Sequence, residues 1–350
     1  MALWQYVARR LVLLVPVLLG ISVITFGLAW FATHGHLEVQ YLRQSDRLHE
    51  DQVQRIIQQH GFDKPAYVQY FLYLKDVLHG DLGLSTSVND PVLDVIKSKF
   101  PASVELALVA MVFAVLLGIP WGILSATRRD KPADHVTRFL ALSGVSVPVF
   151  WLALILQLFL SYYLSQQGFS WFPLFGRYDA ILAGSHPSLL NGPTHFLLVD
   201  TLLAGDLVAF GDVVRHLVLP GFTLGFVTLA IITRMMRASM LEVLGLDYVR
   251  TARAKGLEEK VVVNRHARRN ALIPTTTVIG LSLGSLMGGA VLTETIFQWP
   301  GLGYWAAKGI LSVDTAAIMG FVGLTALIYV LANLLVDVIY AYLDPRVRLD

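Results

Sequence analysis

The sequence predicts an all-α polytopic membrane protein with six transmembrane helices. Hydrophobic residues make up 55% of the 350 residues and charged residues only 15%, against about 25% in soluble domains. The mean hydropathy is +0.61. A soluble protein of this composition has too few polar side chains to cover its surface, so we expect a membrane to surround most of the chain.

Six segments are long and apolar enough to cross a bilayer, which takes about 20 predominantly apolar residues. The apolar run from Leu11 to Ala32 follows Arg9 and Arg10. It exceeds the roughly 7–15 residues of a signal-peptide core, so we interpret it as a retained first helix. The expected spans are residues 10–31, 102–126, 138–164, 216–238, 273–297 and 314–342.

These spans divide the chain into three parts. Residues 1–32 form a cytoplasmic amino terminus with the first helix, residues 33–101 a sizeable external segment, and residues 102–350 a core of five helices. With a cytoplasmic amino terminus, 17 of the 27 Lys and Arg residues lie on the inner side. Because positive residues favour the cytoplasmic side, we expect a multi-pass protein with both termini in the cytoplasm.

Several classes of site and protein are not expected. The chain has no cysteine, which excludes disulfides and thiolate metal sites. His34 and His36 form a close pair, but two imidazoles without a carboxylate at fixed spacing make a poor metal site, so no metal is expected. The sequence has no clustered catalytic groups, and its few intramembrane charges lie near span ends, unlike those of many autonomous secondary transporters.

The loop at residues 239–272 carries the most informative pattern. Between residues 246 and 270 it has seven Lys or Arg residues against three Asp or Glu residues. Asp247 suits a helix start and Gly256 suits the left-handed conformation that ends a helix, so we expect two short helices joined at this glycine. On physical grounds alone, a topogenic basic loop and an anionic-lipid patch remain alternatives.

Motifs along nearly the whole chain carry a family resemblance. The loop reads Asp247-Tyr-Val-Arg-Thr-Ala-Arg-Ala-Lys-Gly-Leu257 and then Arg265-His-Ala-Arg-Arg-Asn-Ala-Leu-Ile-Pro274. The other stretches are His79-Gly-Asp-Leu-Gly-Leu-Ser85, Ser239-Met-Leu-Glu-Val-Leu-Gly245, Gly289-Ala-Val-Leu-Thr-Glu-Thr-Ile-Phe-Gln-Trp-Pro-Gly-Leu-Gly303, Asn333-Leu-Leu-Val-Asp337 and Asp344-Pro-Arg-Val-Arg348. These motifs resemble those of binding-protein-dependent ABC transporter permeases of the dipeptide, oligopeptide and nickel family, and most of all the B subunits of dipeptide permeases.

The resemblance implies the type I ABC importer permease fold in a bacterial inner membrane, with dipeptides or short oligopeptides as cargo. It implies a second homologous permease subunit, two cytoplasmic subunits that bind ATP and Mg, and an external peptide-binding protein. The chain itself has no Gly-x-x-x-x-Gly-Lys-[Ser/Thr] phosphate loop, so we expect neither a cofactor nor enzymatic activity in it. No nucleic-acid partner is expected. Permeases of the same fold for nickel, glutathione or oligosaccharides remain the alternative.

The resemblance also implies that the loop is a coupling helix, which fits into a groove of an ATPase subunit and transmits its closure. By motif position, Gly256 allows a sharp break, Ala252 permits close approach of the partner, and Tyr248 and Leu257 are apolar anchors. The residues assigned to this ATPase-coupling site are Asp247, Tyr248, Arg250, Thr251, Ala252, Lys255, Gly256 and Leu257.

Three stretches depart from the family pattern. Arg250-Thr-Ala252 stands where the wider family has Glu-Ala-Ala, a variant common in the peptide branch. Ala32-Thr-His-Gly-His36 replaces an Ile-Pro-Gly-Asp-Pro-like turn. Ser312-Val-Asp-Thr-Ala316 replaces an Arg-Asp-Tyr-Pro-like stretch before the last span.

The fifth span combines a carboxylate with small residues. Glu294 lies near its outer end and either lines the translocation path or caps a neighbouring helix. Ser282 and Ser285 are assigned to the same path. The pattern Gly280-x-x-x-Gly284-x-x-x-Gly288 puts glycines on one face, where another helix is expected to approach closely.

Other ionisable residues near span ends are expected to be structural. Asp337, near the inner end of the sixth span, is expected to pair with Arg234 or Arg237 at the inner end of the fourth. Glu105, at the outer start of the second span, is expected at the membrane interface. His266 in the loop is expected to be a packing residue.

Overall fold

The computed structural model describes residues 3–33, 61–190 and 192–343, together with positions 35, 55, 57 and 58. In this part of the chain, six helical stretches are long and apolar enough to cross a membrane, so the predicted number of spans is confirmed. They are Leu11–Ala32, Val92–Thr127, Val149–Gln166, Leu207–Leu244, Glu259–Gly288 and Thr315–Leu334. His34, His36 and the motif at residues 344–348 lie outside the described residues.

Long helices alternate with short elements along the chain. In order these are α1 (Leu3–Ala32), α2 (Ala66–Leu78), β1 (Leu84–Ser85), β2 (Asp90–Pro91), α3 (Val92–Thr127), α4 (Pro132–Ser146), α5 (Val149–Leu156), α6 (Leu164–Gln166), α7 (Ala180–Ala183), α8 (Leu197–Leu203), α9 (Leu207–Leu244), α10 (Asp247–Ala254), α11 (Glu259–Val261), α12 (Arg268–Ile296), α13 (Leu302–Leu311) and α14 (Thr315–Leu343). β1 and β2 pair antiparallel, with Leu84 opposite Pro91.

Two π-helical turns join neighbouring helices into longer runs. Gln157–Tyr163 connects α5 to α6, and Val262–Ala267 connects α11 to α12. A π-helical turn bonds residue i to residue i+5, and therefore accommodates one more residue than an α-helical turn. The second of these turns lies near the start of the fifth span, after the loop that contains α10.

Several predicted span boundaries differ from the structure. The fourth and fifth spans begin at Leu207 and Glu259, before the predicted residues 216 and 273. The third span begins at Val149 and not at residue 138, because Val147 and Pro148 are extended and separate α4 from α5. The residue before a proline disfavours the helical region, which accounts for the break. The second span begins already at Val92, so the predicted boundary between residues 101 and 102 falls inside α3.

The centre of the bundle is the contact between α3 and α9, the most extensive helix pair in the described chain. Glycines allow the close approach of their backbones. A Cβ on Gly225 would lie 2.5 Å from the Ala110 carbonyl oxygen, and one on Gly122 would lie 2.6 Å from Met236 Cβ. Interiors this closely packed do not accommodate an added methyl group without moving the helices, so this pair forms a rigid frame.

The glycine face of α12 packs against the last helix, α14. A Cβ on Gly284 would lie 3.2 Å from both Ala332 Cβ and Tyr329 Cδ2, and one on Gly288 would lie 3.7 Å from Thr325 Cγ2. The expected close approach of a second helix is therefore confirmed at Gly284.

Candidate functional site

α10 is a two-turn helix whose ends follow from the sequence. Leu246 is extended, and Asp247 lies in the first turn, where a carboxylate interacts favourably with the helix dipole. Beyond the last turn, Gly256 has a φ of +79°, in the left-handed region that favours glycine. A Cβ here would meet no atom within 4 Å, so the backbone conformation and not space selects glycine. The predicted helix break at Gly256 is confirmed.

One face of α10 packs into the core of this chain. Val249 is fully buried and Ala252 is almost fully buried. Their neighbours in the same apolar cluster are Ala126 of α3, Met236, Met240 and Val243 of α9, and Val262, Val263 and Ala267 of the π-helical turn. Ala252 therefore faces the core of its own chain and not a partner surface. Residues three apart are neighbours on a helix, so Val249 and Ala252 share one face. Val249 was not among the predicted site residues, although its spacing from Ala252 was a signal for it.

Several residues on and next to α10 are exposed. Tyr248 of α10 and Leu257, which follows the break at Gly256, retain 39% and 41% of their accessible surface. Leu246, just before α10, is a third exposed apolar side chain. The other exposed residues of the predicted site are Asp247, Arg250, Thr251, Lys255 and Gly256. Protein–protein interfaces combine apolar and polar side chains in this way.

Two side-chain contacts connect α10 to the segment that follows it. Asn270 Nδ2 donates a hydrogen bond to Tyr248 Oη at 2.7 Å. Across the break at Gly256, Arg253 donates to both carboxylate oxygens of Glu259 at 3.0 and 2.7 Å. These bonds raise the pKa of the Arg253 guanidinium above its ordinary value. Because both side chains are largely solvated, the pair contributes less than about 1 kcal/mol.

A buried ion pair connects α3, α4 and α9 at the same end of the bundle. Asp134 is fully buried and accepts hydrogen bonds from Arg237 Nε and Nη2, both at 2.9 Å. The Ser125 hydroxyl and the Asp130 N–H also donate to this carboxylate. The Arg237 hydrogen bonds, the largest cause, hold the pKa of Asp134 well below its usual range.

Arg237 is thus paired with Asp134. The side chain of Asp337, the predicted partner of Arg234 or Arg237, lies outside the described residues. Arg234 is exposed and makes no ion pair with any described residue. Asp134 was not predicted, because no local sequence pattern indicates which residues of different helices come into contact. Its position two residues after Pro132, in a first helical turn, was the available signal.

Glu294 lies in the core at the other end of the bundle. It is fully buried, and its Oε1 accepts from Ser103 Oγ at 2.6 Å while its Oε2 accepts from the Tyr304 N–H at 3.0 Å. Ser103 Oγ in turn accepts from the Leu302 N–H at 2.8 Å. Glu294 therefore caps the start of α13, and its burial favours this interpretation over the translocation path. A Cβ on Gly301 would lie 2.5 Å from this carboxylate. The motif therefore has a glycine at this position, because any side chain would collide with Glu294.

The two serines assigned to the path both bond to their own helix. Ser282 is buried and donates to the Val278 carbonyl at 2.8 Å, and Ser285 is exposed and donates to the Leu281 carbonyl at 3.4 Å. The structure does not bring these serines together with Glu294 on one accessible surface.

The motif at residues 79–85 is bonded through Ser85 to the start of the last span. The carboxylate of the fully buried Asp314 accepts from Ser85 Oγ at 2.7 Å and from the Ser87 N–H at 2.9 Å. Its other oxygen accepts from the Ala317 N–H at 3.0 Å, and so caps α14. Asp314 belongs to the stretch that departs from the family pattern. Its position just before a helix start was the signal that the sequence analysis left unused.

Glu105 is a core residue and not an interfacial one. Its carboxylate accepts from Arg177 Nη2 at 2.6 Å and from the Leu198 N–H at 2.7 Å. The Arg177 guanidinium also lies 5.6 Å from the ring centroid of Trp299. These contacts connect α3 to the segment at residues 166–215 and account for the burial of this carboxylate.

The fold and the site define a class: a polytopic helical membrane protein that presents one short, basic helix at an end of its bundle. Residues 118–349 match the family model described as binding-protein-dependent transport system inner membrane component. Residues 3–107 match the model for the N-terminal part of that membrane component. The chain belongs to this family.

Relatives are similar over nearly their whole length. The chain is 43% identical to the probable D,D-dipeptide transport system permease protein DdpB of Escherichia coli, over 99% of this chain and 98% of the relative. It is 41% identical to the dipeptide transport system permease protein DppB of Alkalihalophilus pseudofirmus, over 98% and 99%. It is 42% identical to the di/tripeptide transport system permease protein DppB of Pseudomonas aeruginosa, over 98% of both. The chain is thus a non-catalytic permease subunit of an ABC transporter, with the type I fold, in the inner membrane.

Proposed function

We propose that this chain is one of two homologous membrane-spanning subunits of an importer for dipeptides or short oligopeptides. The relatives described above are named as permeases of dipeptide or di/tripeptide transport systems, and their similarity extends over nearly the whole chain. The observation that carries the mechanistic part is the exposure of Tyr248 on α10 and of Leu257 just after it, while Val249 and Ala252 of α10 pack on the core.

α10 is the mechanical link to a cytoplasmic ATPase subunit in this proposal. Tyr248 and Leu257 enter a groove of that subunit, and Arg250 and Lys255 lie at the rim. Because Val249 belongs to one apolar cluster with residues of α9, a displacement of α10 is passed to the long span. Closely packed interiors transmit such displacements with little compression.

The other components provide the energy and the cargo. Two ATPase subunits bind ATP and Mg, an external peptide-binding protein delivers the peptide, and a second permease subunit shares the translocation path. ATP and the loaded binding protein favour an outward-facing state, and hydrolysis returns the complex to an inward-facing one. Each ligand shifts this equilibrium only as far as its affinities for the two states differ.

Both termini and α10 lie on the cytoplasmic side in this arrangement. The distribution of charge supports this orientation, since 17 of the 27 Lys and Arg residues are then on the inner side. A protease added to the outside of inverted or right-side-out vesicles, with terminal tags as readout, distinguishes the two orientations.

Transport by the complete complex in proteoliposomes tests the proposal. Gly256→Val forces a β-branched residue into a φ of +79°, so labelled-dipeptide uptake is expected to fall about tenfold while ATP hydrolysis continues. Gly205→Val is the matched control, since Gly205 also has a positive φ and open space around it but lies near the opposite end. Normal uptake by a correctly assembled Gly256→Val complex contradicts the coupling role. Uptake of nickel, glutathione or an oligosaccharide instead of dipeptides contradicts the assigned cargo.

A further inference from the structure

A cavity of about 590 Å³ lies between α4 and α9, at the end of the bundle that carries α10. Its volume is within the range of small-molecule binding pockets. The residues that line it include His135, Arg138, Phe139 and Leu142 of α4, and Arg234 and Arg237 of α9. None of these residues belongs to the exposed face of α10.

The cavity has an excess of positive charge. The charge of Arg237 is balanced by the buried Asp134, and their paired hydrogen bonds of 2.9 Å hold the Arg237 side chain in place. Arg138 and Arg234 are exposed and form no ion pair with any residue that the structure describes. Two guanidinium groups thus lie beside a fixed third one without an acidic partner among the described residues.

The helices that form the cavity run antiparallel. Near one end, Asp134 of α4 bonds to Arg237 of α9. Farther along, Gly144 of α4 meets Ala230 of α9, where a Cβ on the glycine would lie 2.6 Å from Ala230 Cβ. The basic residues of both helices therefore lie together at the α10 end, and the close helix contact lies toward the middle of the bundle.

Exposed apolar side chains continue from the cavity along α4. Phe139 and Leu142 line it and retain 69% and 61% of their accessible surface, and Val145 follows one turn later. The guanidinium groups thus lie near the end of α9, and the exposed apolar side chains of α4 extend from them toward the middle of α9. A phospholipid in the adjacent leaflet has this same order of headgroup and acyl chains.

We propose that this cavity binds the phosphate of an anionic phospholipid headgroup, with an acyl chain along Phe139, Leu142 and Val145. Guanidinium groups bind phosphate oxygens through paired, charge-assisted hydrogen bonds. Basic pockets between membrane helices suit anionic headgroups, and each basic residue adds to the attraction. The bound lipid joins α4 to α9 beside the Asp134–Arg237 pair. The inference depends neither on the cargo nor on the coupling role of α10.

Lipid retention by the purified full-length chain tests this site. The chain is taken from nanodiscs with equal amounts of phosphatidylglycerol and phosphatidylcholine, and the retained lipids are counted by native mass spectrometry. Phosphatidylglycerol is expected to be enriched, and the double variant Arg138→Gln/Arg234→Gln is expected to lower its retention about tenfold. The matched control Arg128→Gln/Lys131→Gln removes the same charge next to α4 but outside the cavity, and retention is expected to stay unchanged.

Four outcomes overturn the proposal. Equal retention of the two lipids, or equal losses in the two double variants, shows that the cavity does not select an anionic headgroup. Displacement of phosphatidylglycerol by inorganic phosphate at equal concentration assigns the site to free phosphate. In a separate purification of the whole complex, loss of the second permease subunit in Arg138→Gln/Arg234→Gln, with lipid retention by the single chain intact, makes the cavity a subunit interface.

Discussion

The two ends of the helix bundle treat their charged residues in opposite ways. At the end with β1 and β2, Glu105, Glu294 and Asp314 are buried, and each carboxylate accepts hydrogen bonds from residues far away in the sequence. At the α10 end, Arg250 and Lys255 are exposed. The carboxylates at the first end are thus satisfied within the chain, whereas the basic side chains of α10 remain available to other molecules.

Asp134 refines this comparison, because it lies at the α10 end and yet is fully buried. It supports the frame on which α10 rests, and not the exposed face. We therefore expect the effects of substitutions on folding to follow the burial of a group, and the effects on assembly to follow its exposure on α10.

The largest loss of stability is expected for Glu294→Ala. The substitution leaves the Ser103 hydroxyl and the Tyr304 N–H without their acceptor in a site closed to water, at a cost of about 2–4 kcal/mol. Thermal unfolding of the detergent-solubilised chain measures this loss. Glu294→Gln keeps an acceptor and is expected to lose less. An Ala variant as stable as the parent contradicts the capping role.

Asp134→Ala is expected to cost about 2–3 kcal/mol, because Arg237 then has a partly buried charge without its partner. The same unfolding measurement applies. The double substitution Asp134→Ala/Arg237→Met removes both charges and is expected to recover part of the loss. If the single and double variants are equally unstable, the ion pair is not the cause.

The pH dependence of this pair has a definite sign. A carboxylate with a lowered folded-state pKa stabilises the fold fully above its unfolded pKa, and loses that effect only as the pH falls through the folded value. The difference in unfolding free energy between the parent and Asp134→Asn is therefore expected to stay constant between about pH 6 and 8. A difference that decreases across this range contradicts a lowered pKa.

Ser85→Ala is expected to cost about 1 kcal/mol, since the buried Asp314 loses one of its donors. Ser87→Ala is the matched control, because it keeps the bond from the Ser87 backbone N–H to Asp314 and removes only an exposed hydroxyl, which lies 3.1 Å from Ser85 Oγ. Equal losses in the two variants would assign the effect to the hairpin and not to the bond with Asp314.

The smallest effect on stability is expected for Arg253→Gln, which breaks a largely solvated ion pair with Glu259 and costs less than about 0.5 kcal/mol. Tyr248→Ala is expected to be similarly mild in the isolated chain but to weaken co-purification of ATPase subunits. Unfolding and pull-down of the same preparations separate the two effects. A Tyr248→Ala chain that is strongly destabilised but still co-purifies with ATPase subunits contradicts this expectation.

Much of the fold could be predicted because its signals are local. Long apolar runs indicate the six spans, and a glycine after a short polar helix indicates the break at Gly256. The break at Pro148 was missed since apolar composition continues across it, although the proline itself was visible. In this case the restriction on the residue before a proline outweighed the continuous apolar composition.

The partners of the buried charges could not be predicted from local pattern. Asp134 is paired with Arg237, Glu294 with Ser103, and Asp314 with Ser85, and each pair joins helices or strands far apart in the chain. Only the three-dimensional arrangement brings these groups together. The same limitation applies to α10. Asp247 and Gly256 indicated where this helix begins and ends, but not that Val249 and Ala252 would be buried.

The π-helical turn at Val262–Ala267 bears on how the loop with α10 is joined to α12. A π-helical turn contains one residue more than the regular α-helix needs. Deleting one residue from this turn would therefore restore regular α-helical winding, while the helical residues on its two sides keep their directions. A deletion within α12 has no surplus residue to remove and would rotate the residues before it by about 100°. The connection between α10 and α12 thus has one place that absorbs the loss of a residue.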